Sequence, residues 1–141
     1  MNIALGSDHG GFEMKERIAP LLKSMGHTVN DAGCFSEDSV DYPIIGKKVC
    51  SLVREGKCES GILICGTGIG MSITANRYPE IRAALCHEAY TARMSREHNN
   101  ANVLCLGGRV LGVEIACDIV RTWLTTTFAG GRHQRRLDML S

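Results

Sequence analysis

The stretch Gly61-Ile-Leu-Ile-Cys65-Gly-Thr-Gly-Ile-Gly70 constrains the fold more than any other part of the chain. An uninterrupted apolar run of strand length has no polar side to turn toward water, so it reads as a strand buried on both faces. Strands of that kind belong to parallel sheets covered by helices. The glycines at 66, 68 and 70 end the run, and a helix follows through Met71 to Tyr78. One thiol, Cys65, and a glycine loop are thereby delivered to the carboxyl edge of a sheet, where ligands of open α/β folds bind.

The flanking chain repeats the alternation. The apolar run Asn2 to Gly6 stops at Ser7-Asp8-His9-Gly10-Gly11, and Phe12, Ile18, Leu21, Leu22 and Met25 then recur with helical spacing up to Gly26. Pro20 inside that segment marks a kink or an early break. Thr28-Val29 is a strand brief enough for a sheet edge, and Pro43 opens a helix that runs to about Glu55. Arg82 to Cys86 reads as a strand, His87 to His98 as a helix ended by Asn99 and Asn100, and Val103 to Leu106 as the fifth strand. Val113 to Thr126 is a helix with apolar positions at Ile115, Ala116, Ile119, Val120 and Trp123.

This alternation predicts one α/β domain over residues 1–141, with a parallel sheet covered on both faces. Right-handed crossovers put the strand-end loops on one side, and Asp8-His9, Cys65 to Gly70, His87, His98-Asn99 and Arg109 are all read as lying in or just after them. The segment from Gly130 to Ser141 is polar and basic, and either frays in solvent or lies across a neighbouring subunit.

With 141 residues, 44% hydrophobic and 22% charged, the chain is large enough to fold as one domain without disulfides or a structural metal. A formal charge of +1 gives no general attraction to nucleic acid or an anionic membrane. No apolar run reaches the roughly 18 residues of a spanning helix, and the opening Met1-Asn-Ile-Ala-Leu lacks the basic region of a secretory signal, so the expected compartment is the cytoplasm. The cysteines number seven, an odd count, and lie mostly in apolar strands or on helix faces, which predicts reduced thiols. Neither a CxxC pair nor structural-zinc spacing occurs.

Several side chains carry two readings each. The glycine loop is not a P-loop, because no Lys-Ser/Thr pair follows Gly66 or Gly70, and its spacing is wrong for a dinucleotide fingerprint. It is either a cradle of amides for an anion or a tight turn with no ligand. Cys65 is either a thiolate able to remove a proton or attack an electrophile, or one more core cysteine. A phosphatase would need an arginine six residues after the cysteine, and Met71 stands there. Asp8 and His9 are polar groups aimed over the sheet edge, or a surface turn. His98 is a reacting group, or a cap on its helix. Arg109, Arg132 and Arg136 grip a phosphate, or form a solvated basic surface paired with groups such as Asp138. In a helical tail Arg132 and Arg136 share a face from which Arg135 is offset. Too few cations and no aromatic platform argue against nucleic acid.

Read together, Gly6-Ser-Asp8-His9-Gly-Gly-Phe12, Asp41-Tyr42-Pro43, Gly61 to Asn76, Ser95-Arg-Glu-His98-Asn99-Asn-Ala-Asn-Val103, Leu106-Gly-Gly-Arg109 and Gly130-Gly-Arg132-His-Gln-Arg-Arg136 resemble the ribose-5-phosphate isomerase B family, which includes allose- and galactose-6-phosphate isomerases. The resemblance spans nearly the whole chain. It departs at Ile44-Ile45-Gly46, where relatives more often have a polar or aromatic step followed by alanine.

The resemblance implies a three-layer α/β/α sandwich with a five-stranded parallel sheet, and metal-free, cofactor-free aldose–ketose interconversion of a sugar phosphate. It further implies a homodimer or dimer of dimers with active sites shared between chains, and a tail that packs on the partner. Cys65 matches the base that shuttles a proton between C2 and C1 through a cis-enediolate. Thr67, Asn99 and the amides of the loop (Gly66, Gly68, Ile69, Gly70) match groups holding the oxygens on C1 and C2. His98 matches a residue that opens the furanose ring, and Asp8 a carboxylate on the sugar oxygens. His9, Arg132, Arg136 and Arg109 match phosphate contacts. The alternatives within and beyond the family are a hexose 6-phosphate isomerase and a silent sugar-phosphate-binding protein.

Overall fold

A computed structural model describes residues 1–140 of the chain. The elements run β1 (Asn2–Ser7), a 3₁₀ turn (His9–Gly11), α1 (Phe12–Ser24), β2 (Thr28–Asp31), α2 (Tyr42–Arg54), β3 (Ser60–Cys65), α3 (Ile69–Ala75), β4 (Ala83–Leu85), α4 (Ala89–Glu97), β5 (Val103–Gly107), α5 (Val113–Thr125) and α6 (Arg132–Asp138). The five strands form one all-parallel sheet in the order β2-β1-β3-β5-β4. The apolar run Gly61 to Cys65 lies in its central strand, and every residue of β3 is buried.

Because side chains alternate across a strand, the runs feed two cores at once. Leu5, Ile62, Ile64, Leu104 and Leu106 pack with Ile18 and Leu22 of α1, and with Ile119, Val120 and Trp123 of α5. On the other face, Ala4, Leu63, Cys65, Val103 and Cys105 pack with Ile45 and Val49 of α2, and with Met71 and Ala75 of α3. At roughly 1.5–3 kcal/mol for each large aliphatic side chain taken fully out of water, these two layers are what holds the strand ends in place. Among the described residues no helix is long and apolar enough to cross a membrane.

Three expectations change. Pro20 does not end α1 early, since the helix continues to Ser24 with Ile18 and Leu22 buried on either side of it. The tail does not fray through residue 138: α6 forms, and Ala129 N–H donates to the Glu97 carbonyl at 3.0 Å just ahead of it. His98 and Asn99 do not lie with the strand-end loops. α4 starts at the carboxyl edge after β4 and carries the chain back, so its C-terminal cap, His98, sits at the amino edge, near the Arg82 carbonyl that accepts from Asn102 N–H ahead of β4.

Candidate active site

The chain leaves β1 toward β2 on one side and leaves β3 toward β5 and β4 on the other, which opens a crevice between the carboxyl ends of β1 and β3. Asp8 enters it first. Its N–H donates to the Ile64 carbonyl at 3.1 Å, and its Oδ1 accepts from Gly11 N–H at 3.2 Å. The carboxylate is thus fixed, at 8% exposure, beside the end of β3.

Cys65 ends β3, and its Sγ accepts from Gly68 N–H at 3.1 Å. An N–H directed at sulfur bonds a thiolate more strongly than a thiol. The loop can fold back this way because Gly68 has φ +81°, and a Cβ there would stand 2.5 Å from Leu85 Cδ1. Thr67 Oγ1 accepts from Ile69 N–H at 3.2 Å, so its own hydroxyl proton remains free to donate outward. The loop amides therefore divide. Those of Gly68 and Ile69 have protein partners, whereas no protein group among the described residues accepts from the N–H groups of Gly66, Thr67 and Gly70.

The turn after β5 closes the group. Gly108 N–H donates to the Cys65 carbonyl at 2.8 Å and Arg109 N–H to the Gly66 carbonyl at 3.0 Å. They bring the Arg109 guanidinium to within 3.5 Å of where a side chain on Gly66 would begin. His9 Nδ1 accepts from Val40 N–H at 3.1 Å, which puts the ring proton on Nε2. His9 and Arg109 line one cavity of about 290 Å³, with Glu13 and Glu37 at its rim.

Burial pushes the Cys50 thiol up to about 11, and also raises Cys58, Cys86 and, furthest, Cys105. Those four stay protonated at working pH. Among the described residues no group of three His, Cys, Asp or Glu side chains could hold a metal ion.

A second group forms at the amino edge. His98, Asn99, Arg132, His133, Arg136 and Leu137 line a groove of about 270 Å³. Arg132 and Arg136 face it together while Arg135 does not, as the helical spacing predicts. The rings of His98 and His133 stack at 4.2 Å between centroids, 12° from parallel. Desolvation first, then His98, Arg132 and Arg136, push the His133 imidazole below its usual range, so it is neutral at pH 7. His133 was given no site role from the sequence. Its signal was the helical face 132, 133, 136 and 137, on which only the arginines were read as phosphate contacts. Thus Cys65, Thr67, Asp8, His9, Arg109 and the glycine loop come together, and His98, Asn99, Arg132 and Arg136 come together elsewhere in the same chain.

A family model described as Ribose/Galactose Isomerase matches residues 3–140. The chain is 46% identical over 139 residues to ribose-5-phosphate isomerase B of Escherichia coli, which covers 99% of this chain and 93% of the relative. It is 42% identical over 135 residues to D-erythrulose-4-phosphate isomerase of Pectobacterium atrosepticum, 93% of this chain and 87% of the relative. The solved structure of ribose-5-phosphate isomerase B from Clostridium thermocellum superposes with a TM-score of 0.98 at 54% identity, over 99% of this chain and 95% of that one.

Proposed function

The chain belongs to the ribose/galactose isomerase family of sugar phosphate isomerases, and from that premise we propose that it interconverts ribose 5-phosphate and ribulose 5-phosphate. The observation that carries this reading is Cys65: a sulfur at the end of the central strand, held by Gly68 N–H at 3.1 Å, across the crevice from the Asp8 carboxylate. The names of the Escherichia coli and Clostridium thermocellum relatives support the pentose.

In the proposed reaction the Cys65 thiolate takes the proton from C2 of the open-chain aldose. The C2–H electron pair forms the C1–C2 double bond as the carbonyl pair moves onto O1, giving a cis-enediolate. The proton then passes from sulfur to C1 while the O2 hydroxyl proton moves to O1, which leaves the C2 carbonyl of the ketose and regenerates the thiolate. Thr67 hydroxyl and the unpartnered amides of Gly66, Thr67 and Gly70 hold the oxygens on C1 and C2, where charge develops and preorganised donors act most strongly. The amides of Gly68 and Ile69 hold no sugar oxygen, since they are spent on Cys65 Sγ and Thr67 Oγ1. His9 Nε2–H and Arg109 hold the phosphate.

The remaining roles need a second copy. His98 opens the ring together with Asp8, Asn99 holds a sugar oxygen, and Arg132 and Arg136 complete the phosphate grip, but His98, Asn99, Arg132 and Arg136 sit at the opposite edge from Cys65 and Asp8 in one chain. A homodimer that sets the amino-edge group of one copy over the carboxyl-edge group of the other assembles both halves twice.

A coupled assay tests the assignment, with ribose 5-phosphate run beside allose 6-phosphate, galactose 6-phosphate and D-erythrulose 4-phosphate. Turnover is expected to be fastest on the pentose. No turnover on the pentose overturns the proposal. The erythrulose 4-phosphate arm is included because a relative of 42% identity carries that activity in its name.

A further inference from the structure

A third polar cavity, of about 360 Å³, lies at the amino edge among Glu59, Ser60, Arg82, Arg96, Asn102 and Trp123. Two guanidinium groups share it, and among the described residues neither Arg82 nor Arg96 has a carboxylate partner within ion-pair distance. Arg82 Nε donates to the Asn100 carbonyl at 3.0 Å. Arg96 Nη1 donates to Asn100 Oδ1 at 3.0 Å and to the Ala101 carbonyl at 2.5 Å. Nη1 and Nη2 of Arg82, and Nε and Nη2 of Arg96, have no protein acceptor among the described residues. Burial and then repulsion from Arg82 hold the Arg96 guanidinium below its ordinary value, and the guanidinium lies over the Trp123 ring at 5.6 Å.

The same cavity is walled by Trp123, 2% exposed, whose indole Nε1 is the one buried side-chain polar atom without a partner among the described residues. A buried donor left unpaired costs about 1–3 kcal/mol. The charged side chains lining the cavity are the guanidinium groups of Arg82 and Arg96, against the single carboxylate of Glu59, whose Oε2 already accepts from Asn2 N–H. The local balance is therefore cationic, with guanidinium forks of the shape that matches a tetrahedral oxyanion.

We propose that the Arg82–Arg96–Trp123 cavity is a second anion site, separate from the sugar-phosphate site, that takes a phosphate group. The site is connected to the amino-edge group by a short path. Asn100 is the one non-glycine residue at positive φ among the described residues, at +46°, and both arginines bond to it; Asn99 and His98 precede it directly. An anion drawing on these guanidinium groups bears on the segment that presents Asn99 and His98.

Trp123 is the only tryptophan in the chain, so its fluorescence reports on this cavity alone. The experiment titrates the intact protein with inorganic phosphate, and separately with glycerol 3-phosphate, against chloride at matched ionic strength. Both titrations run in an Arg136→Ala background that weakens the sugar-phosphate site. A saturable change in Trp123 emission is expected there. Saturation by inorganic phosphate identifies the free anion as ligand, and saturation only by the ester identifies a phosphomonoester. Adding Arg82→Gln, which keeps an amide donor toward Asn100, is expected to weaken binding by about tenfold or more, the scale of one charge-assisted pair. Thr126→Glu, which brings a carboxylate to the lip of the same cavity, is expected to abolish the titration without touching either arginine. The proposal is overturned if neither anion gives a saturable change beyond chloride, or if the change disappears with Arg136→Ala. It is equally overturned if the change survives both Arg82→Gln and Thr126→Glu.

Discussion

The two edges of the sheet carry the two halves of the proposed site in opposite ways. At the carboxyl edge, Asp8 and Cys65 are 8% and 5% exposed and are tied to the ends of β1 and β3. At the amino edge the arginines ride on α6, a helix with no buried residue. A base must meet one carbon–hydrogen bond to within a fraction of an ångström, and a position continuous with the core provides that. A phosphate is a large charge at the far end of the substrate, and long guanidinium side chains reach it from a less embedded scaffold. The first edge is thus self-sufficient in geometry, whereas the second, under the proposed dimer, acquires its use when another copy brings a carboxyl edge beneath it.

The sharpest way to break this contrast is Cys65→Ala. Loss of a general base is expected to lower kcat/KM about 10³-fold or more. Urea unfolding should stay near wild type, since the substitution removes only one sulfur at the end of a strand. Near wild-type turnover would show that the proton is moved by another group, and the self-sufficiency of the carboxyl edge would lose its chemical meaning.

Next in size is a mixing experiment that tests whether the edges of two chains cooperate. Arg136→Ala alone is expected to raise KM and lower kcat/KM about 10²-fold, because phosphate binding energy is partly spent on orientation. Co-folding Cys65→Ala with Arg136→Ala in equal amounts makes half the dimers mixed. Each mixed dimer holds one doubly damaged site and one intact site, so about a quarter of wild-type activity should return. If each site were built from a single chain, mixing would restore nothing.

Gly68→Ala is a smaller and more local blow. The φ of +81° and the 2.5 Å approach to Leu85 Cδ1 both resist a side chain, for a loss of roughly 2 kcal/mol or more of stability. Activity should fall further than stability alone explains, because the N–H that holds Cys65 Sγ moves with the loop. A stable variant with full activity would remove Gly68 from the account of the thiol.

How much of this was legible in sequence follows the same division. The carboxyl edge was readable because its information is local: an apolar run, three closely spaced glycines and one cysteine within ten residues dictate strand, loop and thiol. The parallel sheet and its two covered faces followed from the alternation alone. His98 and Asn99 were placed at the wrong edge because their position depends on the length of α4, whose nine residues rise about 13.5 Å and return the chain across the sheet. The division of loop amides was also hidden, since it turns on one backbone angle at Gly68. Gly46 in α2, one of the departures from the family pattern, has its reason only in three dimensions: a Cβ there would stand 2.9 Å from Thr74 Cγ2, where α2 approaches α3.

The smallest effect concerns the layer beneath Cys65, where Cys50 and Cys105 pack in the same core as the reacting sulfur. The Cys50 thiol is raised to about 11 in the folded chain, against about 8.5 for an ordinary cysteine in the unfolded one. The folded state therefore holds its proton while the unfolded state releases it. The associated stability is complete below pH 8.5 and is lost as pH rises through 11. Cys58, Cys86 and Cys105 add to the trend in the same direction. Urea unfolding followed from pH 8 to 11 should show a falling midpoint, with a shallower fall in Cys50→Ala than in wild type. An equal slope in the two proteins would detach Cys50 from alkaline unfolding. A shallower one would show that the core layer beneath Cys65 draws part of its stability from protonated sulfur, a dependence that the exposed arginines of α6 do not share.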